Sequence, residues 1–386
     1  MHDLTMIGTT NARQTFTPFG IKQADRLNHL YIIGKTRTGK STLLLKMMRQ
    51  DIEAGRGFCL IDPHGDLVAQ VKAAVPPEQQ QRLIDFNVPD SAQPYGYNPL
   101  RYVHPNKRSL AASGMLEVMQ RLWPDAWGVN MEHLLRHILL ALLEVPGSTL
   151  PDIIKLLDDN VFRAQLIKKV TNSAVRRFWE HEYETYFAKN RGSGAGPILN
   201  KVGAFLADPT LRRVLTRPET DLHFRHIMDQ GNILLVNLAK GQIGSDAAQL
   251  LGGLLVTTLG LAAFSRQDVP KDKRRNFFVY LDEFQSMTTQ SVADMTAELR
   301  KYHVGLILAH QYLYQLDASV KEAVLGNAGT MIAFRLGAKD AAYLEPEFAP
   351  QFTARDLVSL PNHEVYLKLM VDGVPTHAFS ATTAKY

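Results

Sequence analysis

The sequence predicts an α/β fold: a mostly parallel central sheet covered by helices, with an all-α domain inserted between two of its strands. Three observations carry this expectation. Short, wholly apolar runs alternate with helix-period segments, the pattern of strands buried on both faces. One such run ends in Gly34-Lys35-Thr36-Arg37-Thr38-Gly39-Lys40-Ser41 and passes straight into an amphipathic helix. Residues 105–225 then show helical periodicity and no convincing strand.

In chain order, Leu30-Tyr31-Ile32-Ile33 reads as the first strand, and Ser41 to Glu53 as a helix with Leu43, Leu44, Leu45, Met47 and Met48 on its apolar side. Phe58-Cys59-Leu60-Ile61 and Leu83-Ile84-Asp85-Phe86 are the next strands. After Asn98-Pro99-Leu100 the signals become helical: Met115–Leu122, Met131–Glu144, Ile153–Leu157, Ser173–Ala188 and Ile198–Leu206, with a Gly-rich joint at residues 191–196. Strands return at Ile233–Leu238, Phe277–Leu281, Leu306–Ala309, Met331–Phe334 and Val365–Leu369. The simplest division is one α/β domain of residues 1–104 and 226–386, with residues 105–225 as the insert.

The 386 residues are ample for a large core, and 45% apolar with 21% charged is the composition of a globular protein. Low-complexity tracts and repeats are not evident. A net charge of +5 mildly favours an anionic partner. The excess is concentrated in residues 105–225, which hold 17 Lys and Arg against 13 Asp and Glu. Cys59, the single cysteine, can form no intrachain disulfide and suits a reducing, cytoplasmic setting. The opening residues lack a signal-peptide plan. The apolar stretch Leu250–Phe264 is too short for a membrane span and reads as a helix buried against the sheet, so the expectation is a soluble protein.

Gly34–Ser41 matches the phosphate-binding P-loop in full, and each residue type has a physical task. Gly34 and Gly39 let successive N–H groups of Lys35, Thr36, Arg37 and Thr38 turn inward, and the helix that follows offers its free N–H groups and positive dipole end to phosphate. Lys40 reaches the β and γ phosphates, Ser41 supplies a hydroxyl ligand for Mg²⁺, and Thr42 follows in the first turn. Phe278-Val279-Tyr280-Leu281-Asp282-Glu283 is the partner motif: an apolar strand ending in two carboxylates, Asp282 for Mg²⁺ and Glu283 to orient or deprotonate the attacking water. Gln311 follows the strand Leu306–Ala309 at the same expected sheet edge, where a neutral amide can sense the γ phosphate or place water. Arg300 closes the helix Val292–Tyr302, where an arginine can reach a neighbouring copy's ATP. The cofactors implied are ATP and Mg²⁺.

Taken together, these residues resemble the HerA/FtsK superfamily of hexameric DNA-pumping ATPases, and within it the type IV secretion coupling proteins of conjugation, the TraD/TraG type. The resemblance is carried by Phe19-Gly20-Ile21 with Asp25-Arg26, the P-loop, Ile61-Asp62-Pro63-His64-Gly65-Asp66-Leu67, Tyr97-Asn98-Pro99-Leu100, Tyr280-Leu281-Asp282-Glu283-Phe284-Gln285, Glu298-Leu299-Arg300-Lys301-Tyr302, Ala309-His310-Gln311 and Phe348-Ala349-Pro350. It implies a RecA-like motor domain carrying an all-α domain, assembled as a hexameric ring around DNA, with Arg300 as the trans-acting arginine finger and Gln311 as the sensor. Arg37 departs from the family, which often has Gly there, and the amino-terminal membrane helices of many coupling proteins are not found in this sequence.

The expected partners are DNA, gripped without regard to sequence, further copies of the chain, and a relaxase, secretion channel or nuclease. Lys168-Lys169, Arg176-Arg177, Arg191 and Arg212-Arg213 are candidate phosphate contacts. The expected setting is cytoplasmic, with attachment to the inner membrane through partners. Two other readings use the same residues: a HerA-like motor feeding a nuclease, and an ATP-gated docking protein for a relaxase–DNA complex.

Overall fold

The apolar runs become the strands of one twisted sheet. The computed structural model describes residues 3–12, 16–187, 194–216 and 222–383. Among them the strands are β1 (Leu4–Thr10), β2 (Pro18–Lys22), β3 (Leu30–Ile33), β4 (Gly57–Asp62), β5 (Leu83–Asn87), β6 (Ile233–Asn237), β7 (Phe277–Asp282), β8 (Val304–His310), β9 (Thr330–Ala333), β10 (Glu364–Lys368), β11 (Met370–Val371), β12 (Val374–Pro375) and β13 (Phe379–Thr383). The main sheet runs β2-β1-β13-β10-β9-β3-β8-β7-β4-β6-β5, and β11 pairs with β12 as a separate hairpin.

From β9 to β5 every neighbouring pair is parallel. Apart from the edge strand β5, these strands are wholly or largely buried, as their mainly apolar sequences require. The other edge, β10, β13, β1 and β2, is antiparallel. Parallel strands deliver all their carboxyl ends to one edge, and that is where a ligand site is built in an open α/β sheet.

The chain divides into two compact units. One comprises Met1–Asn87, Arg225–Ala239 and Arg266–Tyr386; the other comprises Val88–Phe224 and Lys240–Ser265. The sheet lies in the first. The second is helical, and it takes in two segments that the sequence assigned to the α/β part: residues 88–104 and the apolar helix Ser245–Ser265.

That helix is buried, but its partner is the helix Arg108–Leu122 of the same unit, which corrects the expected packing on the sheet. A helix apolar all round announces burial without saying against what. It is long and apolar enough to cross a membrane by composition, and 78% of its most apolar window is buried inside the protein.

Helices at Val129–Glu144, Asp152–Asp158 and Ala195–Ala207 match expected segments, and a further helix at Asn160–Ile167 was not expected. The expected single helix from Ser173 is instead α-helical over Ser173–Arg177 and π-helical over Phe178–Phe187. Of the candidate phosphate contacts, Lys168, Lys169, Arg176, Arg177 and Arg212 have exposed side chains. Arg213 is half-buried and donates to the Val88 carbonyl at 2.8 Å, and Arg191 lies outside the described residues.

Candidate nucleotide-binding and catalytic site

The P-loop leaves the end of β3 and enters the helix Lys40–Glu53, and its two glycines are required by contact as well as by torsion. A Cβ on Gly34 would stand 2.5 Å from Cβ of Phe334. Gly39, the residue before the helix, has φ +124°, and a Cβ there would meet Phe334 and the His363 ring at 2.9 Å. The loop is closed by its own polar groups: Thr38 Oγ1 donates to the Lys35 carbonyl at 2.7 Å, and the His363 N–H to the Thr38 carbonyl at 2.8 Å. Arg37 takes φ 63°, the left-handed region where glycine is free of strain, which explains why a glycine fits this position so readily.

Lys40 is 6% exposed and folds back on the loop, donating to the carbonyls of Gly34 at 2.6 Å and Lys35 at 3.1 Å. Burial lowers its ammonium pKa, while the carboxylates of Glu283 and Asp282 oppose that shift. Their influence places the lysine and the acid pair at one site. Ser41 and Thr42 follow Lys40 in the first helical turn.

Asp282 ends β7 at 8% exposure. Its carboxyl is pushed up to about 7, first by burial, then by the charges of Asp62 and Glu283; Lys40 and the Glu283 N–H only partly counter them. Asp62 was not singled out as a site residue from the sequence. It ends β4, the strand that pairs with β7, so the two carboxylates share one edge. Its oxygens accept the N–H groups of His64 at 2.8 Å, Leu67 at 2.9 Å and Val68 at 3.2 Å, which fixes the start of the helix Asp66–Ala74. Only strand order reveals this neighbour.

Glu283 has φ 49°, an unusual conformation for a side-chain-bearing residue and one found where function over-determines the backbone. Its Oε2 accepts Gln285 Nε2 at 2.6 Å, and its Oε1 accepts Gln311 Nε2. The Gln311 Oε1 in turn accepts the Thr36 hydroxyl at 2.7 Å. The preceding residue, His310, is buried and its pKa is depressed to about 3, by burial and by Lys40, so it is neutral; its Nε2 pairs with the Tyr31 hydroxyl at 2.6 Å. That bond ties the end of β8 to the strand feeding the P-loop.

Lys40, Asp282, Glu283 and Gln311 are therefore brought together. Arg300 is not. It is exposed, in the turn Leu299–Tyr302 before β8, so the length of a seven-residue strand, about 20 Å, separates it from Gln311.

The donor set suits Mg²⁺. Ser41 and Asp282 offer oxygen only, and the Asp282 carboxylate lacks enough cationic neighbours. Among the described residues no group of three or more His, Cys, Asp or Glu could cage a metal. Mg²⁺ fits that pattern, since it takes most of its ligands from phosphates and water.

No family model matches the chain, and no curated protein matches it in sequence. Solved structures do match. The plasmid coupling protein TrwB in complex with ADP and Mg²⁺ aligns at a TM-score of 0.65 and 15% identity, covering 98% of this chain and 89% of its own. TrwB with the non-hydrolysable ATP analogue ADPNP gives 0.63 and 16%, over 94% and 86%. VirB4 of Thermoanaerobacter pseudethanolicus gives 0.66 and 16%, over 99% and 96%. The chain thus has the fold of these proteins.

Proposed function

We propose that the protein is an ATPase that forms a ring and moves DNA, acting as the coupling motor of a conjugative or type IV secretion system. The observation that carries the reading is the meeting of Lys40 with Asp282 and Glu283 at the mouth of the P-loop. Likeness to TrwB, a protein solved with ADP and Mg²⁺, with the ATP analogue ADPNP and with the GTP analogue GDPNP, supports a magnesium-bound purine nucleotide as the ligand.

In this reading the loop's N–H groups and the helix end bind the triphosphate, and Lys40 leaves the carbonyls of Gly34 and Lys35 for phosphate oxygens. Ser41 and Asp282 would hold Mg²⁺, which supplies charge neutralisation to the phosphates when bound. Glu283 orients a water and takes its proton as the water oxygen bonds to the γ phosphorus and the bond to the bridging oxygen breaks, giving ADP and phosphate. Gln311 reads the γ phosphate. Arg300, far from the site of its own chain, acts on the nucleotide of a neighbouring copy. The exposed lysines and arginines of the helical unit supply sequence-independent phosphate contacts to DNA. A relaxase or secretion channel would be the protein partner, in the cytoplasm at the inner membrane.

ATP turnover by Lys40→Ala tests the assignment. Hydrolysis falls to background; undiminished turnover rejects the site. Sizing with and without DNA then reads the ring.

A further inference from the structure

We infer that Gln285 is a positioning residue for Glu283: it is the half of a two-amide clasp that stays on the carboxylate when nucleotide binds. The inference rests on the ATPase reading above. Four side chains form a continuous line, Thr36 to Gln311 to Glu283 to Gln285, in which each neighbouring pair shares a hydrogen bond.

The two amides that hold Glu283 are anchored differently. Gln311 is tied through its carbonyl to Thr36, inside the loop that cradles phosphate. A triphosphate in that cradle takes the Thr36 hydroxyl by a charge-assisted bond, which frees the Gln311 carbonyl, and its several negative charges compete with the single Glu283 carboxylate for the Gln311 N–H. Nucleotide therefore draws Gln311 off Oε1.

Gln285 is anchored in the same turn as the residue it holds. The turn Phe284–Ser286 follows Glu283 directly, and both the N–H and the hydroxyl of Ser286 donate to the Glu283 carbonyl, at 3.0 and 2.9 Å. Phe284, which opens the turn, is fully buried, its ring 4.6 Å from that of His310 and 6.4 Å from that of Tyr31. The left-handed backbone at Glu283 and this packed turn carry Gln285 and Glu283 as one piece. When Gln311 withdraws, Oε2 stays held and Oε1 is left to accept the proton of the attacking water. The sequence places Gln285 two residues after the acid pair, but it does not show that the backbone doubles back to bring the amide onto Glu283.

The test compares the unsubstituted protein with Gln285→Ala, Gln285→Met, Gln311→Ala and Lys40→Ala. Steady-state kcat and KM for ATP, equilibrium affinity for a fluorescent non-hydrolysable ATP analogue, and Tm are measured for each. Gln285→Ala lowers kcat about tenfold, the effect of losing one hydrogen bond to a charged group, and leaves KM and analogue affinity within about twofold. Gln285→Met, which keeps the side-chain length without the N–H donors, shows the same split and guards against a folding defect. Gln311→Ala instead weakens the analogue relative to ADP. Wild-type kcat in both Gln285 variants, or analogue affinity lost in parallel with kcat, overturns the inference. If Lys40→Ala retains turnover, the ATPase reading fails instead.

Discussion

The helix Lys40–Glu53 and the strand β7 meet twice, and the two meetings are opposites. Deep in the core, Asp51 of the helix accepts Arg26 at 2.7 and 2.9 Å, Arg56 at 2.9 Å and the hydroxyl of Tyr280 on β7 at 2.5 Å. Burial by itself would raise its pKa, yet the carboxyl ends below its usual range because those partners outweigh burial. At the sheet edge, Lys40 of the same helix faces Asp282 of the same strand, and there the carboxylates outnumber the cation. The Asp282 pKa rises to about 7. In the core cluster the carboxylate is fully compensated; in the edge cluster the carboxylates are not. A buried charge imbalance is tolerated where a ligand corrects it, and under the proposed function a magnesium-bound triphosphate would bring the missing cation along with an anion for the loop and Lys40.

Breaking the complete cluster gives the largest effect. Asp51→Ala leaves the guanidinium of Arg26, which is fully buried over the Phe278 ring, without its main partner, and costs about 3–5 kcal/mol in chemical denaturation. The double variant Arg26→Met with Asp51→Leu recovers most of that loss, since a buried pair is replaceable by well-packed apolar groups. A single variant as stable as the parent would show that the cluster is not what closes this end.

Relieving the incomplete cluster gives a smaller effect of opposite sign. The folded pKa of Asp282 lies above the unfolded one, so the folded state holds the proton more tightly. Stability from this group is full below about pH 4 and is lost as pH rises to about 7. Asp282→Asn removes that loss. Without nucleotide it is more stable than the parent at pH 8 by about 2 kcal/mol, roughly half of what the shift implies, and the difference vanishes near pH 4. Equal stability at both pH values would remove the electrostatic contrast.

The smallest effect comes from the loop itself. Arg37→Gly relieves a left-handed backbone costing about 1–2 kcal/mol and adds about 0.5–1 kcal/mol of unfolded-state entropy. The net gain in stability is about 0.5–1 kcal/mol by thermal melting. A loss instead would mean that the Arg37 side chain makes a stabilising contact.

The legibility of the sequence follows the same division between complete and incomplete patterns. The central parallel strands are readable because strands buried on both faces are apolar without interruption, as in Phe277–Leu281. The antiparallel strands β1, β2 and β13 went unread: Leu4–Thr10 and Phe379–Thr383 hold no continuous apolar run, and β2 carries a proline and a glycine. The helix Ser245–Ser265 was recognised as buried but placed in the wrong unit, since an all-apolar surface names no neighbour.

At the site, Lys40 and Asp282 were legible because their motifs are local in sequence. Asp62 beside Asp282, and Thr36 and Gln285 in line with Glu283, depend on strand order and on one left-handed residue, which no local pattern records.

Calorimetry of Mg·ADP binding at pH 7, repeated in buffers of different ionisation enthalpy, measures protons released as the incomplete cluster is completed. With the Asp282 carboxyl raised to about 7 and so partly protonated, the parent releases more protons on binding than Asp282→Asn. Identical proton release from the two proteins, or no binding by the parent, would contradict the account.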